Sequence, residues 1–273
     1  AAIGGAIGGV ISGLANRAFG MGDKKYGETG ITGTLSGTGF TGNEYAKWTQ
    51  KGGWFRSDKS DTDRKAVDAT PSNAFVETYA AIRHVSATLA NTLGVDTSGL
   101  ATRAQALNIN LTGLTTEADR LGAVTKFFEG VGNAIALELV PSLGQFKVGN
   151  EELSTTLQRV AGDYAGVDAA LQLIGRTSQD AFGAVGVATI GARENLIKLA
   201  GSLDAFTGGT SFFAENFLSE AEQMAPVLST VAETLGKLGM SGVTTVEEYK
   251  KKVLSLNLAN EADQELYIKL LAL

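Results

Sequence analysis

The chain has 273 residues, with 23 Lys plus Arg against 29 Asp plus Glu, for a net charge of −6. That balance excludes a surface dedicated to nucleic acid, which needs a concentrated basic face, and a hydrophobic share of 44% excludes wholesale disorder. The absence of cysteine and the single histidine exclude a disulfide framework, a thiol nucleophile and a zinc site built from Cys or paired His.

Residues 1–16, AAIGGAIGGVISGLAN, carry no charge, and Arg17 ends the run. As a helix they reach roughly 24 Å at about 1.5 Å per residue, short of a ~30 Å bilayer core. Gly4, Gly5, Gly8, Gly9 and Gly13 include pairs four apart, the spacing that lets helix backbones approach closely. Interior glycines cost about 1 kcal/mol each relative to alanine, so partners must hold this helix. The spacing suits a membrane-inserting, self-associating helix and a tightly packed protein bundle equally. Residues 1–19 are expected to form this first segment. Because the chain opens on Ala1-Ala2-Ile3 and stops at Leu273 inside an apolar helical pattern, an excerpt of a longer polypeptide is expected.

From Gly20 the pattern changes to turn and strand chemistry. Ile31 to Leu35 alternate loosely. Tyr45 to Gln50 and Trp54 to Ser57 flank Lys51-Gly52-Gly53, which predicts a β-hairpin. Both tryptophans, Trp48 and Trp54, lie here beside Tyr26, Phe40, Tyr45 and Phe55. Such aromatics either form a docking surface or cover a sheet too small for its own core. GTGFTG at 37–42 formally fits G-x-G-x-x-G, but a strand-like segment follows it rather than a helix, so a phosphate loop is not expected. Residues 20–65 are assigned to this β unit.

The remainder reads as helical, with regions 66–205 and 206–273. Thr70-Pro71 starts a helix whose face carries Phe75, Tyr79, Ile82, Leu89 and Leu93, and Gly94 ends it. His84, beside that face and without a second histidine, reads as a surface or packing residue. Residues 106–112 alternate as one short extra strand. Thr116 starts a helix presenting Leu121, Val124 and Phe128. Asn150 is expected to cap a helix through Leu153, Leu157, Val160, Tyr164, Leu171 and Ile174. Residues 181–192 form a second uncharged run, too short to span a bilayer. Residues 211–238 read as one long amphipathic helix stopped by Gly239. Thr245 starts another over 246–256, and Asn260 caps the last. The fold class expected is mainly α, with a Gly-rich apolar N-terminal helix, a small β unit and several amphipathic helices, elongated rather than a single globule.

No catalytic constellation is evident. His84 has no serine in a G-x-S-x-G context to serve. Glu151/Glu152 and Glu247/Glu248 are adjacent pairs, whose side chains diverge by about 100° on a helix. They read as helix-start charges. No catalytic, cofactor or metal residue is assigned, and no cofactor is expected.

The order of these parts is informative. The apolar run leads into Asn16-Arg17-Ala18-Phe19-Gly20. Thr29 to Thr34, Gly39-Phe40-Thr41-Gly42, and Lys51-Gly52-Gly53-Trp54-Phe55-Arg56-Ser57-Asp58-Lys59 follow. Then come Asn108 to Leu114, Phe212-Phe213, Phe217 to Glu222, and the ending Ala259 to Leu273. Together they resemble the C-terminal region of bacteriophage tail length tape measure proteins, of the siphophage type with long non-contractile tails. Lys51 to Lys59 is the most specific piece.

The resemblance implies a non-enzymatic virion structural protein in the tail lumen and tail tip, usually a trimer. It implies tail tube and distal tail or baseplate hub proteins as partners. It also implies ejection ahead of the DNA, with insertion into the host membrane and envelope, and no specific nucleic-acid binding. Under it, Gly4, Gly5, Gly8, Gly9 and Gly13 serve membrane insertion and self-association, and Tyr45, Trp48, Trp54, Phe55 and Arg56 dock to a tip protein. The alternatives are a virion-associated peptidoglycan hydrolase and a membrane-inserting pore-forming helical protein.

Overall fold

The computed structural model describes residues 25–50, 59–237, 239–240, 242–243 and 245–271. The expected helix over 1–19 and the strand over Trp54–Ser57 lie outside the described residues. What is described is mainly α with one small antiparallel sheet. The chain divides into two compact units, residues 1–162 and 163–273.

Unit 1 holds the sheet, built from β1 (Lys25–Leu35), β2 (Phe40–Gln50), β3 (Lys59–Ala66) and β4 (Gln105–Asn110) in the order β3-β2-β1-β4. The turn between β1 and β2 is the GTG segment: Ser36 N–H donates to the Gly39 carbonyl at 2.9 Å. The glycine motif is thus a hairpin turn. Gly33 faces Gly42 across the two strands. A Cβ at either would fall within 2.6 Å of the Phe40 ring, so the two glycines leave the room that this ring takes over the sheet. On the other side of β2, Gln50 pairs with Lys59, so β2 and β3 run antiparallel on either side of residues 51–58. β3 reads KSDTDRKA, with no apolar alternation, because it is an edge strand and charge there discourages further strands from adding. The strand expected over 106–112 is β4, and it lies in this same sheet, antiparallel to β1.

Two helices cover one face of the sheet: α1 (Ala69–Thr92) and α2 (Glu117–Leu139). α1 begins two residues before the expected Pro71 start, with Asp68 at its N-cap. Pro71 still falls in the first turn, where its missing N–H has no helical acceptor to lose. Gly94, at φ +71°, closes α1 in a Schellman motif, with Val95 N–H reaching the Ala90 carbonyl and Gly94 N–H that of Asn91. Thr116 caps α2, accepting from Asp119 N–H. The core joins Ile31, Leu35, Leu107 and Ile109 of the sheet to Phe75, Tyr79 and Ile82 of α1 and to Val124, Phe128 and Ile135 of α2. His84 is exposed, as its lone position suggested.

α3 (Leu153–Leu173) contains the division between the units. Asn150 is not its cap. Its start is held instead by Asn133 of α2, whose Oδ1 accepts from Ser154 N–H at 3.0 Å and whose Nδ2 donates to Glu152. A cap supplied from another helix leaves no local trace in the sequence.

Unit 2 continues with α4 (Ser178–Phe182), α5 (Ile190–Ala200), α6 (Leu203–Phe217), α7 (Glu220–Lys237), α8 (Val246–Leu254) and α9 (Glu261–Leu271). The single helix expected over 211–238 is two. Leu218 is extended at φ −97°, ψ 139°, and Ser219 and Glu222 form reciprocal capping bonds that start α7. The S-x-x-E signature explains the break. Gly239 does end α7, at φ +77°, and Thr245 starts α8 with a full capping box to Glu248. Asn260 precedes α9, its Oδ1 accepting from Ala262 N–H.

Candidate functional site

Of the residues expected to dock, Trp54, Phe55 and Arg56 lie outside the described residues, as do Gly4, Gly5, Gly8, Gly9 and Gly13. Tyr45 and Trp48 are described, and the strand separates them. Side chains alternate across a sheet, so these positions, three apart on β2, leave opposite faces. Trp48 shares the face of Ala46 and Ile31. Tyr45 lies on the reverse, its ring over Gly30, where a Cβ would fall 2.8 Å from the hydroxyl.

Each is tied down by a carboxylate. Asp63 on β3 accepts from Trp48 Nε1 at 2.9 Å through Oδ1 and from the Tyr26 hydroxyl at 3.1 Å through Oδ2. One carboxylate therefore joins three strands and satisfies the polar tips of two aromatic rings. On the reverse face Glu28 accepts from the Tyr45 hydroxyl at 2.9 Å and from Lys47 Nζ at 2.6 Å. The Lys47 and Tyr45 bonds hold Glu28 below the ordinary glutamate range. Burial, and then the bond to Glu28, pushes the Tyr45 phenol up. Nothing in the sequence distinguished Asp63 from its charged neighbours, because its role depends on strand pairing.

The adjacent glutamates separate in function. Glu248 closes the α8 capping box, in keeping with a helix-start charge. Glu152 binds Asn133. Glu151 accepts from Val148 N–H, from the Thr156 hydroxyl and from Arg159 Nε at 3.2 Å, while Arg159 also donates to the Phe146 carbonyl. Burial alone would raise the Glu151 carboxyl, but the Val148 N–H, Arg159 and Thr156 together leave it below the ordinary value. A lowered folded value stabilises the protein above the ordinary carboxyl range, and that stability is lost as pH falls through the folded value. Glu151→Gln should therefore lower the urea midpoint at pH 7. It should also shrink the midpoint's fall between pH 5 and 3, measured by far-UV circular dichroism. A fall as large as in the wild type would remove Glu151 from the acid response.

Unit 2 is organised around a buried arginine that the sequence reading did not single out. Arg193 of α5 is 1% exposed. Its Nε donates to Thr189 Oγ1 at 3.0 Å, Nη1 to the Tyr164 carbonyl at 3.1 Å, and Nη2 to Asp168 Oδ1 at 2.7 Å and to Ser178 Oγ. The guanidinium lies 3.7 Å from the Tyr164 ring centroid and 4.8 Å from that of Phe182. The Tyr164 hydroxyl in turn accepts from Gly186 N–H at 3.1 Å. One side chain thus links α3, α4, the 3-10 turn Gly186–Thr189 and α5. Five N–H donors on a planar fork suit this position in a way lysine does not.

Among the described residues no group of three or more His, Asp or Glu could hold a metal ion. No described helix is long and apolar enough to cross a membrane. Against protein-family models, curated proteins and solved structures, the chain shows no match.

Proposed function

We propose that the chain is the C-terminal segment of a phage tail tape measure protein, a non-enzymatic structural part of the virion. The observation that carries this reading is the order of the sequence segments, above all Lys51 to Lys59 set between an apolar Gly-xxx-Gly run and a helical remainder. Three copies would lie in the tail lumen, anchored at the tip to distal tail and baseplate proteins. On infection they leave ahead of the genome and help it through the host envelope.

The chemistry is compatible at several points. The net charge of −6 limits adhesion to the DNA that follows down the tube. The apolar glycine run suits close packing of copies and later entry into lipid. The sheet narrows the docking expectation. Tyr45 and Trp48 leave opposite faces, and β2 lies between β3 and β1, so one flat partner surface cannot meet both. A docking surface on one face would use only one of them together with residues 54–56.

The test is tail length. An in-frame deletion in the helical ruler that precedes this region in the family should shorten tails by about 1.5 Å per deleted residue, read by electron microscopy. Tails of unchanged length overturn the proposal. Peptidoglycan cleavage by the chain, or leakage of liposomes that is lost with Gly8→Leu and Gly9→Leu, would instead favour the hydrolase or the pore-former.

A further inference from the structure

The strongest unexplained surface is on α6. Phe212, Phe213 and Phe217 are 61%, 46% and 67% exposed. Their rings pack on one another, Phe213 stacked on Phe217 at 5.5 Å and Phe212 edge-on to Phe217 at 6.3 Å. One turn earlier Gly208 and Gly209 sit inside the helix, and a Cβ at either would meet nothing within 4 Å. Among the described residues no neighbouring atom requires either glycine. What they leave is a floor low enough for another backbone to approach closely beside an aromatic ridge.

The charges that α6 and the first turn of α7 carry have one sign. The only charged residues of α6 are Asp204 and Glu215, and the first turn of α7 adds Glu220 and Glu222. The corner is held, because Gln223 Nε2 donates to the Ala214 and Leu218 carbonyls at 3.0 Å each. The first turn of α7, with Glu220 and Glu222, is therefore fixed at the end of α6 that carries the aromatics.

We infer that this face of α6 is a docking surface for an amphipathic helix of another protein, one whose apolar stripe is bordered by lysine or arginine. Charge complementarity selects that occupant. A second copy of the same face would set Glu215, Glu220 and Glu222 against their own counterparts. An anionic lipid surface would meet the same repulsion. The inference stands independently of the tail reading, and its test uses the chain alone.

The probe is an 18-residue helical peptide of Leu, Ala and Lys, with its leucines in one stripe and lysines on both borders. Its counterpart carries Glu at every Lys. The full chain should bind the lysine peptide in calorimetric titration and leave the glutamate peptide unbound. Phe213→Ser with Phe217→Ser should weaken binding at least tenfold. Glu215→Gln with Glu220→Gln should weaken it severalfold and remove most of its salt dependence. Gly209→Leu fills the notch while keeping the aromatics, and should also weaken binding. Since all these side chains are exposed, unchanged thermal melting will show that the variants fold. Equal binding of both peptides, no binding of either, or undiminished affinity in the Phe variant overturns the inference. So does phosphatidylserine vesicle binding, or concentration-dependent self-association, that the Phe variant abolishes; these assign the face to lipid or to a second copy.

Discussion

Arg193→Ala should lower the stability of unit 2 by about 3–5 kcal/mol, the usual loss when one partner of a buried ion pair is removed. The effect is large because the substitution removes a charged donor from several groups at once. Asp168 Oδ1 loses its 2.7 Å cationic partner and keeps only the Ser178 hydroxyl, while the Tyr164 carbonyl, Thr189 Oγ1 and Ser178 Oγ each lose one donor. The space between the Tyr164 and Phe182 rings is emptied as well. Asp168 keeps some access to water, its side chain being 29% exposed, which holds the loss within this range. Arg193→Lys keeps the charge but not the fork or the stacking, and should cost about 1–3 kcal/mol. The informative variant is Arg193→Met with Asp168→Leu. Replacing both charges by apolar groups removes the stranded carboxylate, so the double variant should regain much of what Arg193→Ala lost. Urea unfolding followed by far-UV circular dichroism reads all three. A loss below about 1 kcal/mol for Arg193→Ala would mean that the guanidinium does not hold these elements together.

The same arginine illustrates what was legible in the sequence. Helix starts whose chemistry is local could be read from the residues themselves: Thr116, Thr245 and Asn260 each bond within three residues of their own position. So could Gly94 and Gly239, because a left-handed C-terminal residue favours glycine. Signals that depend on tertiary partners could not be read. The start of α3 rests on Asn133, nineteen residues before Glu152. Strand β3 shows no apolar period because neither its edge nor its faces require one. The break between α6 and α7 did have a local signal, Ser219 to Glu222, which the apolar periodicity of Phe212 to Leu238 overrode in the reading. Asp63 and Arg193 carry the most connected polar roles, yet each is one charged residue among many until the chain folds. Among the residues expected to dock, Tyr45 and Trp48 share β2, and a separation of three places them on opposite faces of any strand; which face each takes was not legible, because that is set by pairing with β1.

The second large effect concerns unit 1. Phe128→Ala should destabilise it by about 3–5 kcal/mol, a large share of the 5–15 kcal/mol typical of a whole domain. Phe128 is fully buried, 6.0 Å from Phe75 and 5.2 Å from Phe127 by ring centroids, and Phe75 in turn meets Phe40 edge-on at 5.6 Å. The ring chain thus runs from β2 through α1 to α2, so the cavity left by alanine would open where both helices meet the sheet. Phe128→Leu keeps most of the volume and loses chiefly the ring contacts, each worth about 0.5–1.5 kcal/mol. Phe127, only partly buried against the same cluster, should cost less than half as much when cut to alanine. Tryptophan emission is the right probe, since both tryptophans, Trp48 and Trp54, fall within residues 1–162 and Trp48 lies in the sheet. Trp48 is held by Asp63 and is not itself part of the core cluster. A shift of its transition in Phe128→Ala would therefore show that sheet and helices unfold together. Equal losses for Phe127→Ala and Phe128→Ala would instead mean that burial at position 128 does not set the stability of the sheet–helix core.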